Sequence, residues 1–275
     1  MRILLAGAGG QLGRALQAAA TSHEVVALPH GRLDITDAAA VHAAVAGHAP
    51  DIVINAAAYN LVDQAETDHE TAYRVNCRGP RNLAVAAAAR GIPIVHISSD
   101  YVFAGDAGRP YTEDDPPLPL SRYGITKLIG EELVRNANPR HFVVRTAWLF
   151  HTAGQNFPRR ILERAARGPV HVVDDQTGSP TYAPHLAEAL LRLIGDGGFG
   201  TCHLAGRGAA SWFELTRRLF AEMKVTAEVM PATTAEVPRP ARRPAYSALT
   251  TVREPRILLP AWEEGVAAFA REVSR

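Results

Sequence analysis

Tyr123 and Lys127 stand four residues apart in Tyr123-Gly124-Ile125-Thr126-Lys127, a spacing that puts both side chains on one face of a helix. An ammonium group beside a phenol favours phenolate and draws the Tyr pKa toward the working range of a proton donor. Upstream, Ser98-Ser99-Asp100 offers the Ser99 hydroxyl to the same carbonyl oxygen. Far upstream again, Gly7-Ala8-Gly9-Gly10-Gln11-Leu12-Gly13 follows an apolar run and opens an Ala-rich one. There Gly7 permits a tight turn, Gly10 lets backbone approach a pyrophosphate, and Gly13 lets strand and helix pack closely. The helix N-terminus adds N–H donors and a positive dipole end. Each part alone has a plain structural reading: a half-buried helix Tyr, a solvated Lys, a turn Ser. In this order they imply reduction of a ketone with a nicotinamide cofactor. Tyr123 would give the proton, Ser99 would hold and polarise the carbonyl, and Lys127 would tune Tyr123 and bind the nicotinamide ribose.

The cofactor contacts expected from the loop are Gly7, Gly10, Gln11, Leu12 and Gly13, joined by Tyr123 and Lys127. NAD-selective sites often end the second strand with an acid for the ribose diol. Here Leu28-Pro29-His30-Gly31-Arg32 has none before Asp34. His30 and Arg32 would instead meet a 2′-phosphate, which favours NADPH and leaves NADH open. Asp34 and Ile35 are placed at the adenine edge, and Ala56, Ala57 and Ala58 form a small-residue wall after the third strand.

Positioning these groups requires strands and helices in alternation. Ile3–Ala6, Glu24–Leu28, Asp51–Asn55, Pro93–Ile97 and His141–Arg145 read as strands. Leu12–Ala20, Asp37–Ala46 with Thr36 as cap, Asp68–Arg90 and Ser121–Asn136 read as the helices between them. Short apolar runs alternating with helices imply an α/β fold with a doubly wound, Rossmann-type parallel sheet covered on both faces. Ligands in such sheets bind at the carboxyl ends of the strands. Residues 1–150 are expected to form this dinucleotide-binding domain, with a returning segment near 180–206 that includes Thr201–Leu204. A smaller, interleaved α/β substrate domain is expected from 151–179 and 207–275. Within it Phe157–Arg167, Pro184–Ile194, Ala261–Val273 and Ser211–Met223 read as helices, the last opened by a Ser211/Glu214 capping box. His171–Val173 reads as a strand, and Pro231–Pro244, with four prolines, as irregular chain.

Composition sets outer bounds. The chain has 275 residues, 47% hydrophobic and 21% charged, with a formal net charge of +1. That balance gives no general pull toward nucleic acid or anionic membrane. Cys77 and Cys202 fit no metal spacing and read as reduced thiols. Met1 leads straight into a strand pattern, so no signal peptide is expected, and the chain reads as cytoplasmic.

Longer stretches resemble a known family. They are Ala57-Ala58-Tyr59-Asn60-Leu61-Val62-Asp63-Gln64-Ala65-Glu66, Ser98-Ser99-Asp100-Tyr101-Val102-Phe103-Ala104-Gly105 and Pro119-Leu120-Ser121-Arg122-Tyr123-Gly124-Ile125-Thr126-Lys127. Arg145-Thr146-Ala147-Trp148, Asp174-Asp175-Gln176-Thr177-Gly178-Ser179-Pro180-Thr181 and Arg242-Arg243-Pro244 extend the likeness. With these the chain resembles the extended short-chain dehydrogenase/reductases and, more narrowly, the dTDP-4-dehydrorhamnose reductases. The resemblance implies NAD(P)H-dependent reduction of the C4 ketone of dTDP-4-dehydro-6-deoxy-L-mannose to dTDP-L-rhamnose. It carries the catalytic roles onto Ser99, Tyr123 and Lys127. It places Ser99, Asp100, Tyr101 and Trp148 in the sugar pocket, and Asn156 and Arg243 at the nucleotide end. Trp148 as a core aromatic and Arg243 as a surface charge remain the plain readings. The implied partner is a nucleotide-sugar substrate, and the implied state a monomer or weak homodimer. Some members link an acid after the glycine loop to a divalent metal at a dimer contact. Here Arg14-Ala15 stands in that region, so no metal ligand is assigned and Mg2+ is a carry-over only. Another dTDP-4-ketosugar reductase, a non-catalytic NADP-binding regulatory subunit similar to that of methionine adenosyltransferase, and an NDP-sugar epimerase stay open.

Overall fold

The computed structural model describes residues 1–196, 198–254 and 256–274. β1 (Arg2–Ala6), α1 (Gln11–Ala19), β2 (Glu24–Leu28), α2 (Ala38–His48) and β3 (Ile52–Asn55) alternate from the start. α3 (His69–Tyr73) then passes through a π turn (Arg74–Arg78) into α4 (Gly79–Ala89). β4 (Ile94–Ser99), α5 (Arg122–Ala137) and β5 (His141–Thr146) follow. The later part contains β6 (Leu149–Phe150), α6 (Phe157–Ala165), β7 (Val170–Val173), β8 (Thr177–Gly178), β9 (Thr181–Tyr182) and α7 (Ala183–Asp196). It closes with β10 (Gly200–His203), β11 (Ala210–Ser211), α8 (Trp212–Met223), β12 (Val229–Ala232) and α9 (Trp262–Val273).

Six strands form one sheet in the order β10-β5-β4-β3-β1-β2, with every neighbouring pair parallel. Because strand side chains alternate, β1 feeds both faces. Ile3 and Leu5 pack with Leu16 of α1 and Leu186 and Leu190 of α7, whereas Leu4 packs with Val41, Leu83 and Val134 on the other side. Both faces are therefore apolar, which is why the strands read as continuous hydrophobic runs. Each such aliphatic side chain contributes about 1.5–3 kcal/mol by leaving water. The chain runs outward in both directions from β1, so the crevice between β1 and β3 is the switch point where ligands bind. A separate cluster joins Ile161 of α6, Val170 and Val172 of β7, Leu215 and Leu219 of α8 and Phe269 of α9. The short pairs β7–β12, β8–β11 and β6–β9 stitch this region together. Among the described residues no helix is long and apolar enough to cross a membrane.

Four local departures from expectation have physical causes. α2 is capped by Asp37, whose Oδ1 accepts from Ala39 N at 2.9 Å and Ala40 N at 3.0 Å, and not by Thr36. Thr36 N instead donates to Asp34 Oδ1 at 2.9 Å. β4 runs two residues beyond Ile97, through Ser98 and Ser99, because β5 pairs with it as far as Thr146. Pro231 lies inside β12, in a stretch expected to be irregular. β12 pairs with β7 alone, and an edge strand tolerates a missing N–H. Finally, the long helix expected over Asp68–Arg90 is broken by the π turn. Pro80 has no N–H for the Asn76 carbonyl. That carbonyl faces Gly130 of α5 instead, where a Cβ would lie only 2.2 Å away.

A strap from residue 241 to 251 crosses back over the carboxyl ends of the strands. Arg243 holds Asp63, Ser247 Oγ donates to Asp100 Oδ2 at 2.6 Å, Thr250 N donates to Tyr111 O at 2.8 Å, and Thr251 Oγ1 donates to Glu113 Oε1 at 2.6 Å.

Candidate active site

A cavity of about 900 Å³ opens along the carboxyl ends of the central strands. At one end lies the turn after β1. Gly7 has φ +77°, and a Cβ there would come within 2.4 Å of Ala57 N. A Cβ on Gly13 would sit 2.4 Å from Gly7 O, so Gly13 serves the packing of α1 on the turn and does not border the cavity. Gly10 caps α1 without any side-chain partner, which leaves the first N–H groups of the helix for a ligand. Gly7, Gly10, Gln11, Leu12, His30, Asp34, Ile35, Ala56, Ala57 and Ala58 all border this end. Ala57 is held by its own N–H to Asn55 Oδ1 at 3.1 Å.

At the other end stand the groups that could do chemistry. Ser121 caps α5 by accepting from Gly124 N at 3.1 Å. Gly124 lets the helix press against the turn at 100–102, since a Cβ would lie 2.2 Å from Tyr101 O. That approach brings Tyr123 beside the hydroxyl of Ser99, the last residue of β4. Ser99 Oγ also donates to Asp100 Oδ1 at 2.9 Å and accepts from Tyr101 N at 3.2 Å. The Tyr101 ring meets Tyr123 edge-on at 5.6 Å.

Burial dominates the electrostatics here. It pushes the Tyr123 phenol up to about 12, with the nearby Ser99 hydroxyl opposing the rise. The expectation that Lys127 brings the phenol down is not met in this arrangement, because the Lys127 ammonium donates to Ile97 O at 2.6 Å. Burial lowers Lys127 to about 8, with Glu131, one turn along α5, opposing the drop. Glu131 is itself fully buried. It accepts from Ser98 Oγ at 2.5 Å, Arg145 Nε at 3.0 Å, Arg145 Nη2 at 2.8 Å and Arg135 Nη2 at 2.8 Å. This ionic cluster supports α5 and the end of β4 from beneath.

Asp100 is buried too, and loss of water raises it from 3.8 to about 6 despite the hydroxyls of Ser247 and Ser99. A carboxyl group with a folded pKa above its unfolded value subtracts stability once the unfolded chain ionises. The penalty is absent in strong acid, grows as pH rises from 3.8 to about 6, and is constant above. Asp100→Asn is therefore expected to gain stability relative to wild type across that window and no further above it, as read by urea denaturation at a series of pH values. A difference that does not vary with pH would show that Asp100 is not a raised carboxyl group.

The nucleotide-end residues carried over from the resemblance are not walls of the cavity. Asn156 caps α6 through Arg159 N and donates to Gln11 Oε1 at 3.0 Å and His151 O at 2.6 Å. Arg243 grips Asp63 with two bonds of 2.6 and 2.9 Å and lies against the Tyr101 hydroxyl. Arg32 is exposed in a surface turn and is not a wall of the cavity, although His30 and Leu33 on either side are. Asp100, Tyr101 and Trp148 do border the cavity. Arg74 and Trp212 are among the bordering residues that the sequence reading missed. Arg74 opens the π turn, where helical periodicity misplaces side chains. Trp212 follows the Ser211 cap directly, and an aromatic at a helix start carries no functional signal. Among the described residues there is no group of three or more His, Cys, Asp or Glu that could hold a metal ion.

Comparison with known proteins agrees with this geometry. The family model described as RmlD substrate binding domain matches residues 1–275. The chain is 46% identical over 260 residues to the dTDP-4-dehydrorhamnose reductase of Mycolicibacterium smegmatis, covering 92% of this chain and 79% of that protein. It is 45% identical over 255 residues to a probable dTDP-4,6-dihydroxy-2-methyloxan-3-one 4-ketoreductase of Streptomyces antibioticus, covering 90% and 86%. It superposes on the crystal structure of dTDP-4-dehydrorhamnose reductase from Bacillus anthracis str. Ames in complex with NADP, with a TM-score of 0.96 and 36% identity over 98% of this chain and 99% of that one. Matched by one model from its first residue to its last, the chain belongs to the RmlD substrate binding domain family.

Proposed function

We propose that the chain is a cytoplasmic NAD(P)H-dependent reductase that converts the C4 ketone of dTDP-4-dehydro-6-deoxy-L-mannose to the alcohol of dTDP-L-rhamnose. The observation that carries this reading is the convergence of Ser99, Tyr123 and Lys127 on the cavity that the glycine turn opens. The cradle fits a dinucleotide: Gly7 and Gly10 leave no side chain in the way, and α1 presents free N–H groups. A bound reduced nicotinamide supplies the hydride. Tyr123 donates its phenolic proton to the sugar O4, and Ser99 orients that oxygen. Lys127, whose ammonium is anchored on Ile97 O at 2.6 Å, would bind the ribose of the nicotinamide.

NADPH is favoured over NADH. The nearest acid, Asp34, borders the cavity beyond His30 and accepts from Thr36 N at 2.9 Å through Oδ1. Arg74 adds positive charge near it, its Nη2 standing 3.4 Å from Thr36 Oγ1.

The Streptomyces relative, at 45% identity, supports a second reading in which the substrate is another dTDP-4-ketosugar. The deciding measurement is loss of NADPH absorbance, then of NADH absorbance, with the ketosugar generated in place by its upstream epimerase. Turnover with dTDP-L-rhamnose as product is expected. A folded, NADPH-binding protein that oxidises neither cofactor would turn the reading to a different ketosugar or to a regulatory subunit.

A further inference from the structure

Trp148 has φ +45°, a left-handed conformation. For a residue other than glycine this is strained and persists only where the surroundings over-determine it. The Trp212 indole lies flat on that of Trp148, with ring centroids 3.4 Å apart and planes at 2°. Phe157 backs Trp212 at 4.5 Å. The edge of Trp148 fills space that a side chain would otherwise take, since a Cβ on Gly178 would sit 2.3 to 2.7 Å from its ring. The β8–β11 ladder pairs Gly178 with Ala210 and Thr177 with Ser211. One pair of two-residue strands thus delivers both Gly178 and Trp212 to Trp148. Thr181 N secures the Trp148 carbonyl at 3.2 Å. Both indoles border the cavity that contains Ser99 and Tyr123.

We propose that Trp212 is a positioning residue for the sugar: it acts through Trp148, holding that indole in its left-handed backbone state as a flat wall against the apolar face of the deoxy sugar. The proposal rests on the ketosugar reading above. A 6-deoxy sugar offers a methyl group and a C–H face, which an indole plane accommodates by burial and dispersion. Because the stack is already formed, little side-chain freedom remains to be lost on binding.

Calorimetry would compare dTDP, which lacks the sugar, with dTDP-L-rhamnose, in wild type, Trp212→Phe, Trp212→Leu and Gly178→Ala. The ratio of the two dissociation constants is the sugar increment. It is expected to fall about tenfold in Trp212→Leu and Gly178→Ala and to stay within about threefold of wild type in Trp212→Phe, whose ring still stacks, while dTDP affinity holds. The exciton couplet of the paired indoles in circular dichroism reports the stack itself and should vanish in Trp212→Leu. An unchanged increment after the couplet is lost overturns the proposal. Equal loss for both ligands overturns it as well, since that marks general disruption. Should Trp212→Leu fail to fold, Gly178→Ala and Trp212→Phe decide by the same ratios. A wild type that binds dTDP-L-rhamnose no better than dTDP overturns the ketosugar reading, and the proposal with it.

Discussion

Tyr123→Phe is expected to lower kcat by roughly 10²- to 10⁴-fold, the range that a positioned proton donor contributes. The phenol is buried at the wall of the cavity beside Ser99, and burial pushes it up to about 12. At neutral pH it therefore carries its proton, as a donor to a developing alkoxide must. The Phe side chain keeps the ring packing against Tyr101, so NADPH affinity and thermal stability should change little. Steady-state kinetics alongside a cofactor titration check this. A variant that retains more than a tenth of wild-type kcat would remove Tyr123 from the role.

Glu131→Ala should be the most destabilising single change among the polar groups discussed here. Glu131 satisfies the buried Arg145 guanidinium through two bonds, of 3.0 and 2.8 Å, and also holds Arg135 and Ser98. Removing one partner of a buried ion pair strands the other, at a cost of about 3–5 kcal/mol. For a chain of this size that corresponds to about 5–9 °C in Tm. The pH dependence follows from the sign of the shift. Arg145 holds the Glu131 carboxyl below its ordinary range, although burial alone pushes the other way. Its contribution is thus present above the unfolded carboxylate pKa and disappears as pH falls through the lower folded value. Lys127 would also lose the charge that opposes its drop to about 8. The basic limb of the pH–rate profile should accordingly move to lower pH. A Tm within a degree or two of wild type would show that the cluster contributes nothing net.

The parallel sheet and its order of elements were legible because β1, β3, β4 and β5 are apolar on both faces and each is followed by a helix. The glycine turn was legible for a similar reason: Gly7 and Gly13 answer steric demands that no other residue meets. Ser99, Tyr123 and Lys127 could be placed because one helix and one strand end carry all three. What the sequence concealed depends on long-range contact. Nothing local distinguishes Arg243 gripping Asp63 from Arg243 free to meet a diphosphate. Asn156 has the residue type of a ligand contact and equally that of a helix cap, and the fold uses it as a cap. Arg74 is displaced by a π turn that Pro80 imposes, which no 3.6-residue period anticipates. The influence of Lys127 on Tyr123 was inferred from spacing alone, and spacing does not fix where a long flexible amine points.

The strap at 241–251 has a consequence for the order in which the molecule can be made. Its bond to Asp100 closes a separation of 147 residues, and its grip on Asp63 one of 180. Such contacts carry the loop-closure entropy of half to two-thirds of the chain and form late. Synthesis proceeds from the N-terminus, and the first strands can pair while the rest is still being translated. A nascent chain can therefore own its nucleotide cradle well before it owns a finished catalytic pocket. Cofactor binding should precede competence for turnover, both on the ribosome and during refolding, with the interval set by how quickly Ser247 finds Asp100.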